Sequence, residues 1–158
     1  MGGVEFPFLQ YGSRPNVQNV DLMTTTLLLR IASVISLIFT AGHTMGGLKQ
    51  WSPMGDNPVL KSMTDVRFDT MGANRSYLDF FMGFGWSIGV LMLMETILLW
   101  QLASLAKTEP ARLRPMIAVI TVATVGTGVI AWRYIFPVPA LFSAVLAIAL
   151  GFAYVTAR

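Results

Sequence analysis

The sequence predicts an all-α membrane protein: an antiparallel four-transmembrane-helix bundle with a short amphipathic helix in the first loop. Hydrophobic residues make up 54% of the 158 residues and charged residues only 12%, whereas an average soluble domain carries about 25% charged residues. Four apolar stretches are each long enough to cross a hydrocarbon core about 30 Å thick. One long and two short connections join these stretches, as an antiparallel bundle requires.

The first 21 residues are predicted to form an irregular tail, because glycine, proline and asparagine interrupt them. The tail has no apolar leader segment, so no cleaved signal peptide is expected. Residues 22–158 then form a single four-helix domain, whose first helix covers residues 22–46. One face of that helix carries Ser36, Thr40, His43 and Gly47. Such a small and polar face is typical of contact with neighbouring membrane helices.

The long connection, residues 48–75, contains the predicted amphipathic helix near residues 58–68. Asn57 is a typical helix N-cap and Pro58 a typical first helical residue. Apolar residues at positions 59, 63 and 66 then share one face, which favours a helix on the membrane surface. The alternative interpretation is a polar loop without a helix.

The other membrane helices are predicted at residues 76–106, 116–136 and 140–157, with a hinge at residues 107–115. Each carries small or polar residues at helical spacing, a pattern that favours close helix contact. These residues are Gly85 and Gly89 on the second helix, Thr121, Thr124 and Gly128 on the third, and Ser143, Ala147 and Gly151 on the fourth. The hinge concentrates three cations in nine residues. The positive-inside rule therefore predicts that the hinge and both chain termini face the cytoplasm.

A candidate site lies at the outer membrane boundary, where the predicted helices place His43 and Asp79 at similar depth. Arg75 and Tyr77 precede Asp79, and Trp86 follows it among several phenylalanines. A histidine next to a carboxylate can exchange a proton near neutral pH, and the same cluster can hold a polar headgroup beneath a lipophilic tail. The alternative is structural, with Asp79 satisfying His43 or Arg75, the cluster locking two helices together, and the aromatic residues packing against helices or lipid.

A second polar pair is predicted deeper in the membrane, where Arg30 and Glu95 form a structural ion pair. A charge at mid-helix costs about 2.5–3.5 kcal/mol on insertion scales, so pairing is expected. The alternative for Arg30 is extension of its long side chain to the inner membrane surface. Glu95 is too short for that, so it is paired, protonated or a third candidate for catalysis beside His43 and Asp79.

The composition excludes several other classes of site. The chain contains no cysteine, which excludes disulfides and Cys-based zinc or iron–sulfur sites. A single histidine leaves too few ligands for a transition metal, and we expect no metal and no cofactor. The basic residues are scattered, which does not support nucleic-acid binding. The expected partners are the lipid bilayer, other membrane subunits or a second copy of the chain, and a lipophilic small molecule.

Three short motifs resemble a widespread family of small, uncharacterised bacterial four-helix membrane proteins. They are Gly42-His43-Thr44, Trp51-x-Pro53, and Arg75-Ser76-Tyr77-x-Asp79-Phe80-x-x-Gly83-Phe84-Gly85. The resemblance implies a multi-pass protein of the bacterial inner membrane and brings no activity. The architecture also looks like DoxX-like and sterol-isomerase-type membrane proteins. The isomerases rely on several inward acids and a histidine, whereas this chain offers one histidine and two candidate acids in other places, so no role is carried over.

Two hypotheses of function follow from these observations. The first is a non-catalytic protein, either an accessory subunit of a membrane complex or a binder of a lipid-like ligand. The alternative is a membrane enzyme that transfers protons on a lipophilic substrate, with His43 and Asp79 as acid and base and Glu95 in support. A proton-coupled transporter is a third option, for which four helices would need to oligomerise.

Overall fold

The computed structural model describes residues 17–49 and 51–158 and confirms the predicted fold. The described residues form five α-helices: α1 (Val17–Gly42), α2 (Pro58–Asp65), α3 (Tyr77–Leu105), α4 (Pro110–Tyr134) and α5 (Pro137–Thr156). A π-helix (His43–Leu48) continues α1, and a hairpin of β1 (Arg67–Thr70) and β2 (Ala73–Ser76) precedes α3. The four long helices, α1 with its π-helix among them, are long and apolar enough to cross a membrane, which indicates a multi-pass membrane protein.

Helix α1 packs between two other long helices. Helices α3 and α5 pack along it and α4 packs on α5, whereas α3 and α4 contact each other at only a few residues. We call this weakly packed boundary the α3–α4 seam. At one end of the bundle, the terminal end, the start of α1 meets the end of α5. Thr25 Oγ1 donates a hydrogen bond to Thr156 Oγ1 at 2.8 Å, and Arg158 Nε lies 3.4 Å from Asp21 Oδ2.

The main apolar core lies toward the terminal end, where α3 ends and α4 begins. Its largest fully buried members are Leu29, Leu99, Ile117 and Leu150, one from each long helix. Many large apolar side chains elsewhere on the long helices are exposed. In water such exposure would be costly, but in a bilayer these side chains face lipid. We call the opposite end of the bundle the hairpin end. Because the main apolar core lies at the terminal end, other contacts hold the helices together at the hairpin end.

Hydroxyl groups join α1 to α3 near the middle of the bundle. Ser33 Oγ donates to the Thr96 carbonyl at 2.8 Å, and the Ser36 and Thr96 hydroxyls lie 2.8 Å apart. Ser36 and Thr40 are buried, so this part of the predicted small and polar face points at neighbouring helices. Gly47, which was predicted on the same face, lies in the π-helix and is exposed. Hydrogen bonds of this kind stabilise helix association in a medium without water.

Several predicted boundaries were wrong, because two prolines begin helices at positions that were predicted to lie between helices. Helix α4 begins at Pro110 rather than residue 116, and α5 begins at Pro137 rather than residue 140. The fixed φ of proline suits the first helical position, where no N–H partner is needed. Residues 17–21 of the predicted tail belong to α1; the rest of that tail, residues 1–16, lies outside the described residues.

The predicted amphipathic helix in the first loop is confirmed as α2, which ends three residues earlier than expected. Asn57 Oδ1 accepts a hydrogen bond from the Leu60 N–H at 3.0 Å, and Pro58 occupies the first turn. On its exposed face Lys61 and Asp65 pair at 2.9 Å. The hydrogen bond to the Asp65 carboxylate and its negative charge raise the pKa of Lys61.

Two elements were not predicted, the π-helix and the hairpin. In the π-helix, Lys49 N–H donates to the Thr44 carbonyl five residues earlier, at 3.2 Å. In the hairpin, Met71 and Gly72 form the two-residue turn with φ of 48° and 79°. Positive φ at both turn residues matches the twist of antiparallel strands. Gly72 between two short polar runs was the one available sequence signal for this turn.

Candidate functional site

A groove opens at the hairpin end, between the β1–β2 hairpin and the first three turns of α3. Its volume is about 760 Å³. Nine residues line it, two from the hairpin and seven from α3: Arg67, Arg75, Asp79, Phe80, Met82, Gly83, Phe84, Trp86 and Ser87. This set is called the hairpin groove below.

The helical period explains which side chains reach the hairpin groove. Asp79, Gly83 and Trp86 recur at steps of four and three residues, so they share one face of α3. At a rise of 1.5 Å per residue, Trp86 lies about 10 Å further along the helix than Asp79. The groove is thus polar where the hairpin covers it and aromatic further along α3.

The hairpin positions two arginines at the polar end of the groove. Strand pairing places Arg67 opposite Ser76 and Phe68 opposite Arg75. The Arg67 side chain donates to the Asn74 side chain and to the Asn74 carbonyl, and Arg75 Nη1 donates to the same carbonyl at 2.9 Å. Both arginine side chains remain exposed. The two guanidinium groups therefore meet at the Asn74 carbonyl, at the mouth of the groove.

Asp79 caps the N-terminus of α3. Its Oδ2 accepts from the Ser76 N–H at 2.8 Å, while the Ser76 hydroxyl accepts from the Asp79 N–H at 3.1 Å. This reciprocal arrangement is a capping box, with aspartate in place of the usual glutamate. Arg67 Nη2 lies 3.7 Å from the same carboxylate oxygen. Asp79 is thus occupied by the Ser76 backbone and by Arg67 rather than by His43 or Arg75, the two partners that the structural alternative named.

His43 contacts the backbone of α3 rather than Asp79. Its Nε2 lies 2.9 Å from the Gly85 carbonyl oxygen, which can only accept, so Nε2 carries the proton and donates. Gly85 is six residues after Asp79, a separation of about 9 Å along the helix. The predicted His43–Asp79 pair is therefore not formed, because each side chain binds a different part of the backbone.

The predicted close approach at Gly85 and Gly89 is present, and the partner is the π-helix. A Cβ on Gly85 would overlap the Leu48 side chain, and one on Gly89 would touch Thr44 and His43 at 3.5 and 3.7 Å. Leu48 is only 4% exposed. The absence of two side chains thus lets the π-helix lie directly on α3 and brings His43 within reach of the Gly85 carbonyl.

The remaining predicted ligand-binding residues divide between the groove and an aromatic cluster beside it. Arg75, Asp79 and Trp86 line the hairpin groove, whereas His43 does not. The Tyr77 ring packs on Phe68, with ring centroids 5.1 Å apart. Arg67 was not among the predicted site residues, because its place in the groove depends on the hairpin that the sequence analysis did not predict.

The predicted ion pair between Arg30 and Glu95 does not form. Arg30 Nη2 donates to Ser104 Oγ at 3.0 Å, and the guanidinium carbon lies 3.4 Å from the centroid of the Trp100 ring. Glu95 Oε1 instead contacts Thr124 Oγ1 of α4 at 3.4 Å.

The antiparallel register of α1 and α3 explains this correction. Ser33 and Ser36 lie opposite Thr96, so Arg30, further toward the terminal end, lies opposite the last turns of α3. Arg30 points toward that end of the bundle, but its Nη1 is buried and has no hydrogen-bond partner among the described residues. Extension of this side chain to the inner membrane surface therefore stays a prediction. Among the described residues, no group of three His, Asp or Glu side chains is arranged to hold a metal ion.

Comparison of the chain with family models, with curated proteins and with solved structures finds no match.

Proposed function

We propose that this protein binds an anionic, lipid-like molecule in the hairpin groove, with the headgroup between Arg67 and Arg75 and the apolar chain along Phe84 and Trp86. The observation that carries this proposal is the polarity of the groove, which has two cations at one end and aromatic rings at the other. An amphipathic ligand has the same polarity.

The charge of the groove favours an anion. Two guanidinium groups face one carboxylate, and Asp79 already accepts a hydrogen bond from the Ser76 backbone. Phosphate and carboxylate groups form their strongest hydrogen bonds with arginine, which offers a planar fork of donors. A phosphate or carboxylate headgroup would therefore balance the excess positive charge at the mouth of the groove.

The size and exposure of the groove favour a ligand with an apolar part. Binding sites for small molecules enclose about 300–1,000 Å³, and 760 Å³ lies within that range. Phe80, Phe84 and Trp86 are all well exposed. Aromatic residues and arginines both favour the interface between headgroups and hydrocarbon, which is where a lipid presents both of its parts.

We place this protein in the bacterial inner membrane with both termini in the cytoplasm. The cation-rich turn between α3 and α4 supports this orientation, as does the contact between the start of α1 and the end of α5 at the same end of the bundle. The hairpin groove then faces the outer leaflet, and its ligand comes from that leaflet.

The test measures binding of short-chain phosphatidylglycerol by the purified protein in mild detergent, with phosphatidylcholine of the same chain length as the comparison, because its zwitterionic headgroup has no net charge. Each arginine near a charged headgroup contributes about 1 kcal/mol. The double variant Arg67→Gln/Arg75→Gln is therefore expected to bind phosphatidylglycerol roughly 30-fold more weakly. The phosphatidylcholine affinity should change little.

The matched control is Arg112→Gln/Arg133→Gln, which removes the same net charge from positions outside the groove. It should bind phosphatidylglycerol as the wild type does. Equal binding of both lipids by the wild type, or equal losses in the two double variants, would reject the anionic-ligand proposal.

A second candidate function, docking to another membrane subunit or to a second copy, is favoured by the outer face of α4. Gly126 is exposed, and no atom lies within 4 Å of the position of a Cβ there. An exposed glycine in a membrane helix lets a partner helix approach closely.

The variant Gly126→Cys tests this second candidate function. Because the chain has no native cysteine, the new thiol is the one cysteine available for cross-linking. In native membranes we expect a disulfide or bifunctional cross-link from Gly126→Cys and much less from Val125→Cys, which points about 100° away. Equal cross-linking at the two positions would indicate random collision.

The enzyme alternative has less support from the geometry, because His43 and Asp79 hydrogen-bond to different backbone groups. Proton transfer on one substrate would require both side chains to leave these partners.

A further inference from the structure

Glu95 lies deep in the apolar part of α3, at the α3–α4 seam. It is 18 residues after Tyr77 and 10 before Leu105, which places it about 27 Å and 15 Å from the two ends of the helix. The side chain is half-buried. It is also about 13 Å further along α3 than Trp86, so it does not belong to the hairpin groove.

No described cation is close enough to balance a negative charge at Glu95. On α1, His43 donates to the Gly85 carbonyl and Arg30 is directed to Ser104. On α4 the arginines lie near the two ends of the helix, and α5 carries no charged residue. An unpaired carboxylate in hydrocarbon is costly, and such groups bind a proton instead.

The contact with Thr124 is consistent with a protonated carboxyl. The Thr124 hydroxyl has one proton and already donates it to the Ile120 carbonyl at 2.8 Å. Its distance to Glu95 Oε1 is longer, 3.4 Å. A hydroxyl oxygen still has lone pairs to accept a further hydrogen bond. A protonated Glu95 can therefore donate to Thr124 as well as accept from it.

The second carboxyl oxygen is open to the surroundings. Glu95 Oε2 makes no hydrogen bond to any described residue, and it is not among the fully buried unpaired atoms of the described chain. Leu91 and Met94 beside it are at least half exposed, and so is Val125 of α4. The path to Glu95 at the seam is thus apolar.

We infer that Glu95 is a proton-binding site that remains protonated at neutral pH and is reached from the hydrocarbon phase through the α3–α4 seam. The molecules that such a site accepts are uncharged and lipid-soluble, with one polar group to meet Oε2. This inference does not depend on the hairpin groove, which lies elsewhere on α3.

The test uses dicyclohexylcarbodiimide, a lipid-soluble reagent, on the protein in native membranes at neutral pH. The carboxyl oxygen bonds to the central carbon of the reagent and the carboxyl proton moves to one of its nitrogens. The acyl group then migrates from oxygen to the other nitrogen of the reagent, which carries no proton, to give a stable N-acylurea. No group leaves, so the modified peptide gains the mass of one reagent molecule.

Peptide mapping of the wild type should find this adduct on Glu95 and not on Asp79, which is held by Ser76 and Arg67. Labelling at Glu95 should fall as the pH is raised, and Glu95→Gln should abolish it. A fatty acid in the same membrane, which presents its own carboxyl group, verifies that the reagent is active.

An unmodified Glu95 under conditions that modify the fatty acid would overturn the inference. So would labelling that is as strong with a water-soluble carbodiimide. Both outcomes are read from the wild type alone, so the test stands even where Glu95→Gln does not fold.

Discussion

Replacing Gly85 with alanine is expected to lower the free energy of unfolding by about 1–3 kcal/mol, the usual effect of overpacking. A Cβ at this position would overlap the side chain of Leu48. Leu48 is buried and has little room to move, so the π-helix would have to lift from α3. The hydrogen bond from His43 to the Gly85 carbonyl would be lost with it.

Equilibrium unfolding in mixed detergent micelles measures this effect, and Gly83→Ala is the matched control. Gly83 lies half a turn away on the same helix, and nothing lies within 4 Å of the position of its Cβ. Alanine is favoured over glycine in a helix interior by about 1 kcal/mol, so Gly83→Ala should be neutral or stabilising.

A double-mutant cycle tests whether contact with Leu48 causes the loss of stability in Gly85→Ala. Leu48→Ala makes room for the new methyl group, so Gly85→Ala should cost much less in that background than in the wild type. An equal cost in both backgrounds would show that the loss comes from something other than the contact between Leu48 and Gly85.

Removing either half of the capping box is expected to destabilise the start of α3 by about 0.5–2 kcal/mol. Ser76→Ala removes the acceptor for the Asp79 N–H, and Asp79→Ala removes the acceptor for the Ser76 N–H. Asp79→Asn keeps an oxygen in the same place and should retain most of the stability. Hydrogen exchange of the first turn of α3, together with equilibrium unfolding, measures these differences.

Combining Asp79→Ala with a further variant, His43→Ala, tests whether the two side chains work together. Because the two side chains hydrogen-bond to different backbone groups, the effects of His43→Ala and Asp79→Ala should add within about 0.5 kcal/mol. A larger coupling energy, or an Asp79→Asn variant as unstable as Asp79→Ala, would contradict the capping role. It would also restore support for the acid–base pair.

The groove and the capping box depend on one another. Asp79 fixes the first turn of α3 and accepts the charge of Arg67, so it also helps to place the hairpin that carries both arginines. For this reason the lipid-binding test leaves Asp79 unchanged and alters the arginines. Because Arg67 and Arg75 also hydrogen-bond to Asn74, hydrogen exchange of the hairpin is measured in the same variant to report any change in its structure. A loss of binding can then be separated from a loss of local structure.

The local and compositional features were predictable from the sequence. The four long apolar stretches determined the number of helices, because a backbone without water must satisfy its own hydrogen bonds. Asn57 followed by Pro58 determined the start of α2, since capping depends on adjacent residues. The spacing of Ser36 and Thr40 determined the face that α1 buries, because that face follows from the helical period alone.

The partners of the ionisable side chains were decided by tertiary structure. Arg30 lies opposite Ser104 and Trp100 rather than Glu95 because of the register between α1 and α3, which depends on the packing of whole helices. Arg67 reaches the groove only through the hairpin turn at Met71 and Gly72. The sequence by itself determined which segments are helices and which of their faces avoid lipid, since both are properties of neighbouring residues. Tertiary structure alone decided that His43 binds the Gly85 carbonyl and that Glu95 faces Thr124, because each of these contacts joins segments whose relative position no local pattern encodes.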